Sequence, residues 1–198
     1  MSGDKLIKLI KEHDIRFIDL RYTDTKGKQH HATVPARLAV EDPEEWIETG
    51  QAFDGSSIEG WKGIQASDML LIPDLDVIFV DPFYDEPTLA IHCNVIDPAS
   101  GQGYDRDPRS IARRAEHYLK STGIGDTAYF GPEPEFFVFD GVEFETGISG
   151  SRYAIHSESG FWSNGLCLDK MNTGHRPGVK GGYTPLPPVD SGQDLRST

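Results

Sequence analysis

The residues best suited to do chemistry lie in Gly131-Pro132-Glu133-Pro134-Glu135-Phe136-Phe137-Val138-Phe139-Asp140. The aromatic and β-branched residues predict a strand. Residues i and i+2 of a strand share a face, so Glu133 and Glu135 project together with Cβ atoms roughly 6.5–7 Å apart. Two glutamates aimed into one cavity suit hard divalent cations such as Mg²⁺ or Mn²⁺, which take oxygen ligands and accompany phosphates. Most such pairs are simply a solvated face. Here Phe137 and Phe139 continue the face, and a carboxylate pair at the mouth of an apolar cavity is costly without compensating cations or donors. Pro132 and Pro134 donate no backbone hydrogen bond, which places this end of the strand at an edge or rim.

Other motifs carry less. Asp54-Gly55-Ser56-Ser57 alone reads as a turn, since Asp and Gly dominate turns for backbone reasons. His30 and His31 are adjacent and face opposite sides of any strand, so they read as surface histidines rather than as a metal pair. His175 reads as a loop residue that forms hydrogen bonds. The chain has no phosphate-loop motif, so any nucleotide would need another arrangement.

The elements that would position these groups follow from periodicity and caps. Leu6, Ile7, Leu9 and Ile10 among lysines predict a short amphipathic helix with Ser2 or Asp4 as cap. Residues 15–22 and 29–34 flank Thr25-Lys26-Gly27-Lys28 as a β-hairpin. Asp42-Pro43 opens a short helix and Gly50 closes it. Residues 51–67 read as a Gly- and Ser-rich loop, and 69–72, 77–80 and 88–96 as separate strands. Residues 97–108 are a boundary candidate. Asp107 and Pro108 then start a helix with Ile111, Ala115, Tyr118 and Leu119 on one face, ended by Gly123. A hairpin is expected around 147–150, and from 174 the sequence turns rich in Gly and Pro.

Four ordered blocks together resemble one family. They are GPEPEFFVFD; Phe53-Asp54-Gly55-Ser56-Ser57-Ile58 with Gly60-Trp61-Lys62-Gly63-Ile64; Asn172-Thr173-Gly174-His175-Arg176-Pro177-Gly178 with Lys180-Gly181-Gly182-Tyr183 and Pro187-Pro188-Val189-Asp190-Ser191; and Gln193-Asp194-Leu195-Arg196. They are similar to glutamine synthetases of the bacterial type (type I), N-terminal portion only. The resemblance implies an α+β chain in two parts. Residues 1–104 form a β-grasp-like N-terminal domain, and 105–198 the start of a catalytic α/β domain, incomplete. It further implies ligation of ammonium to glutamate with ATP, by way of γ-glutamyl phosphate. Glu133 and Glu135 match ligands of two adjacent Mg²⁺ or Mn²⁺ sites, Glu135 nearer the substrate glutamate and Glu133 nearer the phosphates. Asp54 matches the position that binds ammonium and takes its proton, a role suited to a carboxylate. Ser57 and Asp68 match supporting positions beside it.

In that family one subunit's N-terminal domain completes its neighbour's active site within stacked rings, and a dodecamer is the expected homo-oligomer. The remaining metal ligands and the substrate-binding arginines have no counterpart in the chain, and residues 151–171 match no family motif. The sequence therefore reads as the front of a longer protein, with the 198-residue chain alone inactive. Two other readings stand beside this one. A γ-glutamyl ligase using a larger amine is disfavoured by the intact Asp54 block. A catalytically dead module for binding or assembly would follow if Thr198 were a natural end.

Composition narrows the partners. A formal net charge of −13 argues against nucleic acid and anionic membranes. No run of 18 apolar residues and no signal peptide is visible. Cys93 and Cys167 lack CxxC spacing and suit a reduced cytoplasm.

Overall fold

The computed structural model describes residues 3–157, 160, 178, 180–187, 190 and 192–197. The blocks at 161–177 and at 188, 189 and 191, with Cys167 and His175, lie outside the described residues. Two compact units divide the chain, residues 1–130 and 131–198.

The first unit contains, in order, α1 (Gly3–Glu12), β1 (Phe17–Thr23), β2 (Gln29–Pro35), α2 (Arg37–Glu41), α3 (Pro43–Thr49), β3 (Gln51–Asp54), β4 (Asp68–Val80), β5 (Thr88–Asp97), β6 (Gln102–Gly103) and α4 (Pro108–Thr122). Short 3₁₀ turns occupy Gly55–Ser57 and Ile64–Ala66. The sheet runs β2-β1-β5-β4-β3, with β6 beside β5. β1 and β5 are parallel, and the other pairs are antiparallel. β5 is the central strand and its apolar side chains Leu89, Ile91, Cys93 and Val95 are fully buried. Leu6 and Ile10 from α1 and Trp46 from α3 join Ile18, Leu20, Met69 and Leu71 in one core.

Caps set the helix limits. The Asp42 carboxylate accepts from Glu45 N–H, Pro43 fills the first turn, and Gly50 leaves the helix at φ 67°. Asp107, fully buried, accepts from Arg109 N–H and Ser110 N–H, and Gly123 closes α4 in the left-handed region. Asp107 also accepts from Val95 N–H at 3.4 Å, and Arg109 pairs with Asp74 at 2.5 Å. The start of α4 is thereby tied to β5 and β4. The expected apolar face of α4 is uncovered: Ile111 is 50% and Tyr118 72% exposed.

Two expectations for this unit are corrected. Residues 51–67 are not all loop, because Gln51–Asp54 pairs with Asp68–Leu71. The separate strands expected at 69–72 and 77–80 are one strand, β4, whose register against β5 shifts between Pro73 and Ile78. Proline and two aspartates look like a break in sequence. An irregularity lets the strand carry them and continue.

The second unit contains the hairpin of β7 (Gly141–Gly147) and β8 (Gly150–His156), and a short helix α5 (Gln193–Ser197) where the Gln193 block begins. The strand expected over 131–140 is not formed. Residues 131–139 belong to no helix or strand among the described residues. Two prolines remove donors, and a strand needs a partner ladder. The rings of Phe137 and Phe139 nevertheless stack, 6.0 Å apart and 7° from parallel, as neighbours on one side of an extended segment would.

Candidate functional site

The site in the first unit begins with an aromatic cluster. Trp61 is buried, with Tyr104 at 5.2 Å, Tyr22 at 5.8 Å and Phe53 at 6.2 Å between ring centroids. Lys62 reaches over the Tyr104 ring at 5.4 Å and pairs with Asp97 at 2.5 Å, which draws the Asp97 carboxyl below its usual range. Arg106 donates to the carbonyls of Gly60 and Trp61. The Gly60–Gly63 loop is thus clamped from both ends, and the turn preceding it is held against β4.

That turn carries Asp54. Gly55 N–H donates to Ser67 O at 2.7 Å, and β3 pairs with β4 so that Asp54 stands opposite Asp68. Gly55 and Ser67 therefore form a hydrogen-bonded position, and Asp54–Asp68 is the next, non-hydrogen-bonded one. There Cβ atoms lie roughly 4.5–5.5 Å apart on the same face. Both aspartates are exposed. Like charges directly opposite are unfavourable unless a cation lies between or beside them.

Asp54 is also held. Its Oδ1 accepts from Ser56 N–H at 2.8 Å and from the Ser56 hydroxyl at 2.7 Å. The Ser56 hydroxyl foremost, then its backbone N–H, keep the Asp54 carboxyl below its ordinary range, and the Ser67 side chain adds to this. Ser56 was not singled out in the sequence. The available signal was its place two residues after Asp54, the spacing of an Asx turn. Ser57, the expected supporting residue, follows it and is exposed.

In the second unit Glu133 and Glu135 are both exposed, as are Phe136 and Phe137. The apolar cavity expected around the pair is not formed by the described residues. Glu135 accepts a hydrogen bond from Tyr183, which raises the Tyr183 hydroxyl's pKa. Among the described residues no three His, Cys, Asp or Glu side chains gather as a metal site. Two carboxylates are the right donor type for a hard divalent cation, but they are too few alone.

His30 and His31 do face opposite sides. His30 Nε2 meets Asp24 at 2.8 Å and stacks on Tyr22, while His31 Nδ1 meets buried Asp19 at 2.5 Å. Each has its own carboxylate partner, so they are more than surface histidines. Among the described residues, no helix is long and apolar enough to cross a membrane.

Comparison with known proteins identifies the family. Residues 14–98 match the model of the glutamine synthetase beta-Grasp domain, and residues 105–198 that of the glutamine synthetase catalytic domain. A glutamine synthetase of Neisseria gonorrhoeae is 72% identical over 197 residues, all of this chain and 42% of the relative. A protein of Cupriavidus pinatubonensis named 3-hydroxylaminophenol mutase is 58% identical over 97% of the chain and 40% of the relative. The chain therefore spans about two fifths of the length of these relatives. A solved Plasmodium falciparum glutamine synthetase shares the fold with a TM-score of 0.73 at 20% identity, over all of this chain and 38% of that one. With the two family models matching successive stretches in the family's order, the chain belongs to the glutamine synthetase family.

Proposed function

We propose that these residues are the front part of an enzyme that ligates ammonia to glutamate at the expense of ATP. The observation that carries the reading is the Asp54–Asp68 pair. Two carboxylates directly across an antiparallel ladder, one of them locked by Ser56, make a small anionic face suited to ammonium. In the reaction the γ-carboxylate of glutamate attacks the γ-phosphorus of ATP and ADP leaves. Ammonium gives a proton to Asp54, and the resulting ammonia attacks the acyl carbon and expels phosphate. Ser57 and Asp68 line the approach.

Glu133 and Glu135 would hold the divalent cations, Mg²⁺ or Mn²⁺. When bound, these neutralise phosphate charge and align the two anions. The further oxygen or nitrogen ligands would come from sequence beyond this stretch, which fits a chain two fifths as long as its relatives. The division at 104/105 is supported by the two family-model matches, 14–98 and 105–198. Asp54 and Glu133 lie in different compact units. That suits a ring assembly, taken to be a dodecamer, in which Asp54 serves a neighbour's site. A cytoplasmic location goes with this chemistry.

The test is an amine panel on the native-length protein with glutamate, ATP and Mg²⁺. Ammonium should support ADP release with kcat/KM at least tenfold above methylamine, ethylamine and larger amines. A larger amine outperforming ammonium would replace this reading with a γ-glutamyl ligase.

A further inference from the structure

Asp54 Oδ1 takes two hydrogen bonds from one residue, Ser56, through the backbone N–H at 2.8 Å and the hydroxyl at 2.7 Å. The backbone bond is a property of the turn, and any residue at position 56 would supply it. The hydroxyl bond is specific to the side chain. It fixes the rotation of the carboxylate and engages Oδ1. The Ser67 side chain, just before β4, also donates to the carboxylate, whose two oxygens with about four lone-pair sites still keep acceptor capacity for something else. From β4, the residue opposite is Asp68, an acceptor that cannot donate to Oδ2 when ionised. The nearby cation, Lys62, is engaged by Asp97. An oriented, ionised oxygen whose cross-strand neighbour is another carboxylate is matched by a small cation with several N–H donors.

Resting on the ammonium reading of Asp54 above, we infer that Ser56 is the positioning residue of this site, holding Asp54 so that its second oxygen and Asp68 together receive the cation. Ser56 touches no reacting atom, and it acts only through Asp54. Its conformation is set by the 3₁₀ turn Gly55–Ser57. The turn in turn is pinned by Gly55 N–H on Ser67 O and by the lack of a side chain at Gly55, whose Cβ would lie 2.6 Å from Met69 Cγ. Core packing at Met69 is thus transmitted through one backbone turn to the orientation of one carboxylate oxygen.

The experiment uses the native-length assembled protein and measures ADP release against ammonium, glutamate and ATP separately. Five proteins are compared: wild type, Ser56→Ala, Ser56→Thr, Asp54→Asn and the double variant Asp54→Asn with Ser56→Ala. Loss of one charge-assisted hydrogen bond predicts that Ser56→Ala raises the ammonium KM about tenfold. The KM values for glutamate and ATP, and the melting temperature, should stay within about twofold and about 2 °C of wild type, because the bond lies at the surface. Ser56→Thr keeps the hydroxyl and should restore the ammonium KM. In the double variant Asp54→Asn with Ser56→Ala, the second substitution should add little to the first, as expected for residues acting as one unit. An unchanged ammonium KM in Ser56→Ala, with a raised one in Asp54→Asn, overturns the positioning role and leaves the ammonium reading intact. An unchanged ammonium KM in Asp54→Asn overturns both. Equal rises in all three KM values, or a large fall in melting temperature, would show Ser56 to be structural and also overturn the inference.

Discussion

Replacing Gly55 by alanine should push the Asp54 turn off its seat. The new methyl would lie 2.6 Å from Met69 Cγ and 3.1 Å from Ser67 O. Carbon atoms in contact sit roughly 3.5–4.0 Å apart. Met69 is fully buried in the core and cannot retreat into solvent, and Ser67 O already accepts from Gly55 N–H at 2.7 Å. The gap between turn and β4 must therefore open by about 1 Å, an overpacking that costs about 1–3 kcal/mol. At about 2–4 °C per kcal/mol for a chain of this size, the melting temperature should fall by about 6 °C. Circular dichroism on heating measures it. Met69→Ala removes the opposing Cγ, so the double variant should cost less than the sum of the single ones by about 1 kcal/mol or more. Gly60 provides the contrast, with φ +80° and nothing within 4 Å of a built Cβ. Alanine there strains only the backbone, for about 1 kcal/mol, and should not couple to Met69. A Gly55→Ala protein within about 0.5 kcal/mol of wild type, or strict additivity with Met69→Ala, refutes the reasoning.

Three further outcomes are expected. Asp107→Ala removes the cap of α4 and the partner of buried Val95 N–H, so denaturant unfolding should show a loss of about 2–4 kcal/mol, with Asp107→Asn losing less. Burial pushes the Asp19 carboxyl up, but bonds from His31, Thr33 and Arg21 outweigh it and hold it below its usual range. Asp19 therefore stabilises the fold fully above its unfolded value of about 3.9, and that stability is lost as pH falls further through the folded value. The Asp19→Asn protein should be less stable at pH 7 yet show a shallower fall in stability below about pH 4. Burial pushes the Cys93 thiol up to about 12, so iodoacetamide at pH 8 should leave Cys93 unmodified until the chain is unfolded, as peptide mass mapping will show.

Helix limits were legible because local chemistry sets them. Asp42, Pro43 and Gly50, and Asp107, Pro108 and Gly123, each cap or close through bonds within a few residues. The hairpins at 24–28 and 147–150 were legible for the same reason. What failed depended on distant partners. β3 hides in a Gly- and Ser-rich stretch and exists because β4 pairs with it. β4 passes through Pro73, Asp74 and Asp76 because β5 holds it on both sides of the register shift. Glu133 and Glu135 were legible as chemistry but not as geometry, since the strand that should align them has no ladder among the described residues. For the Asp54 site, the block that marks the family was visible and the resemblance named Asp68, but that Asp68 stands directly across from Asp54 needed the β3–β4 register. Ser56 needed the turn's actual bonds, which neither composition nor periodicity encodes.

The most direct test of the central claim is steady-state ADP release by the native-length protein, with glutamate, ATP and Mg²⁺, as ammonium is titrated. The account predicts release that rises to saturation with ammonium, matches glutamine formed mole for mole, and is absent from the 198-residue chain alone. ADP release indifferent to ammonium in the native-length protein, or ammonium-dependent release by the isolated 198 residues, would contradict it.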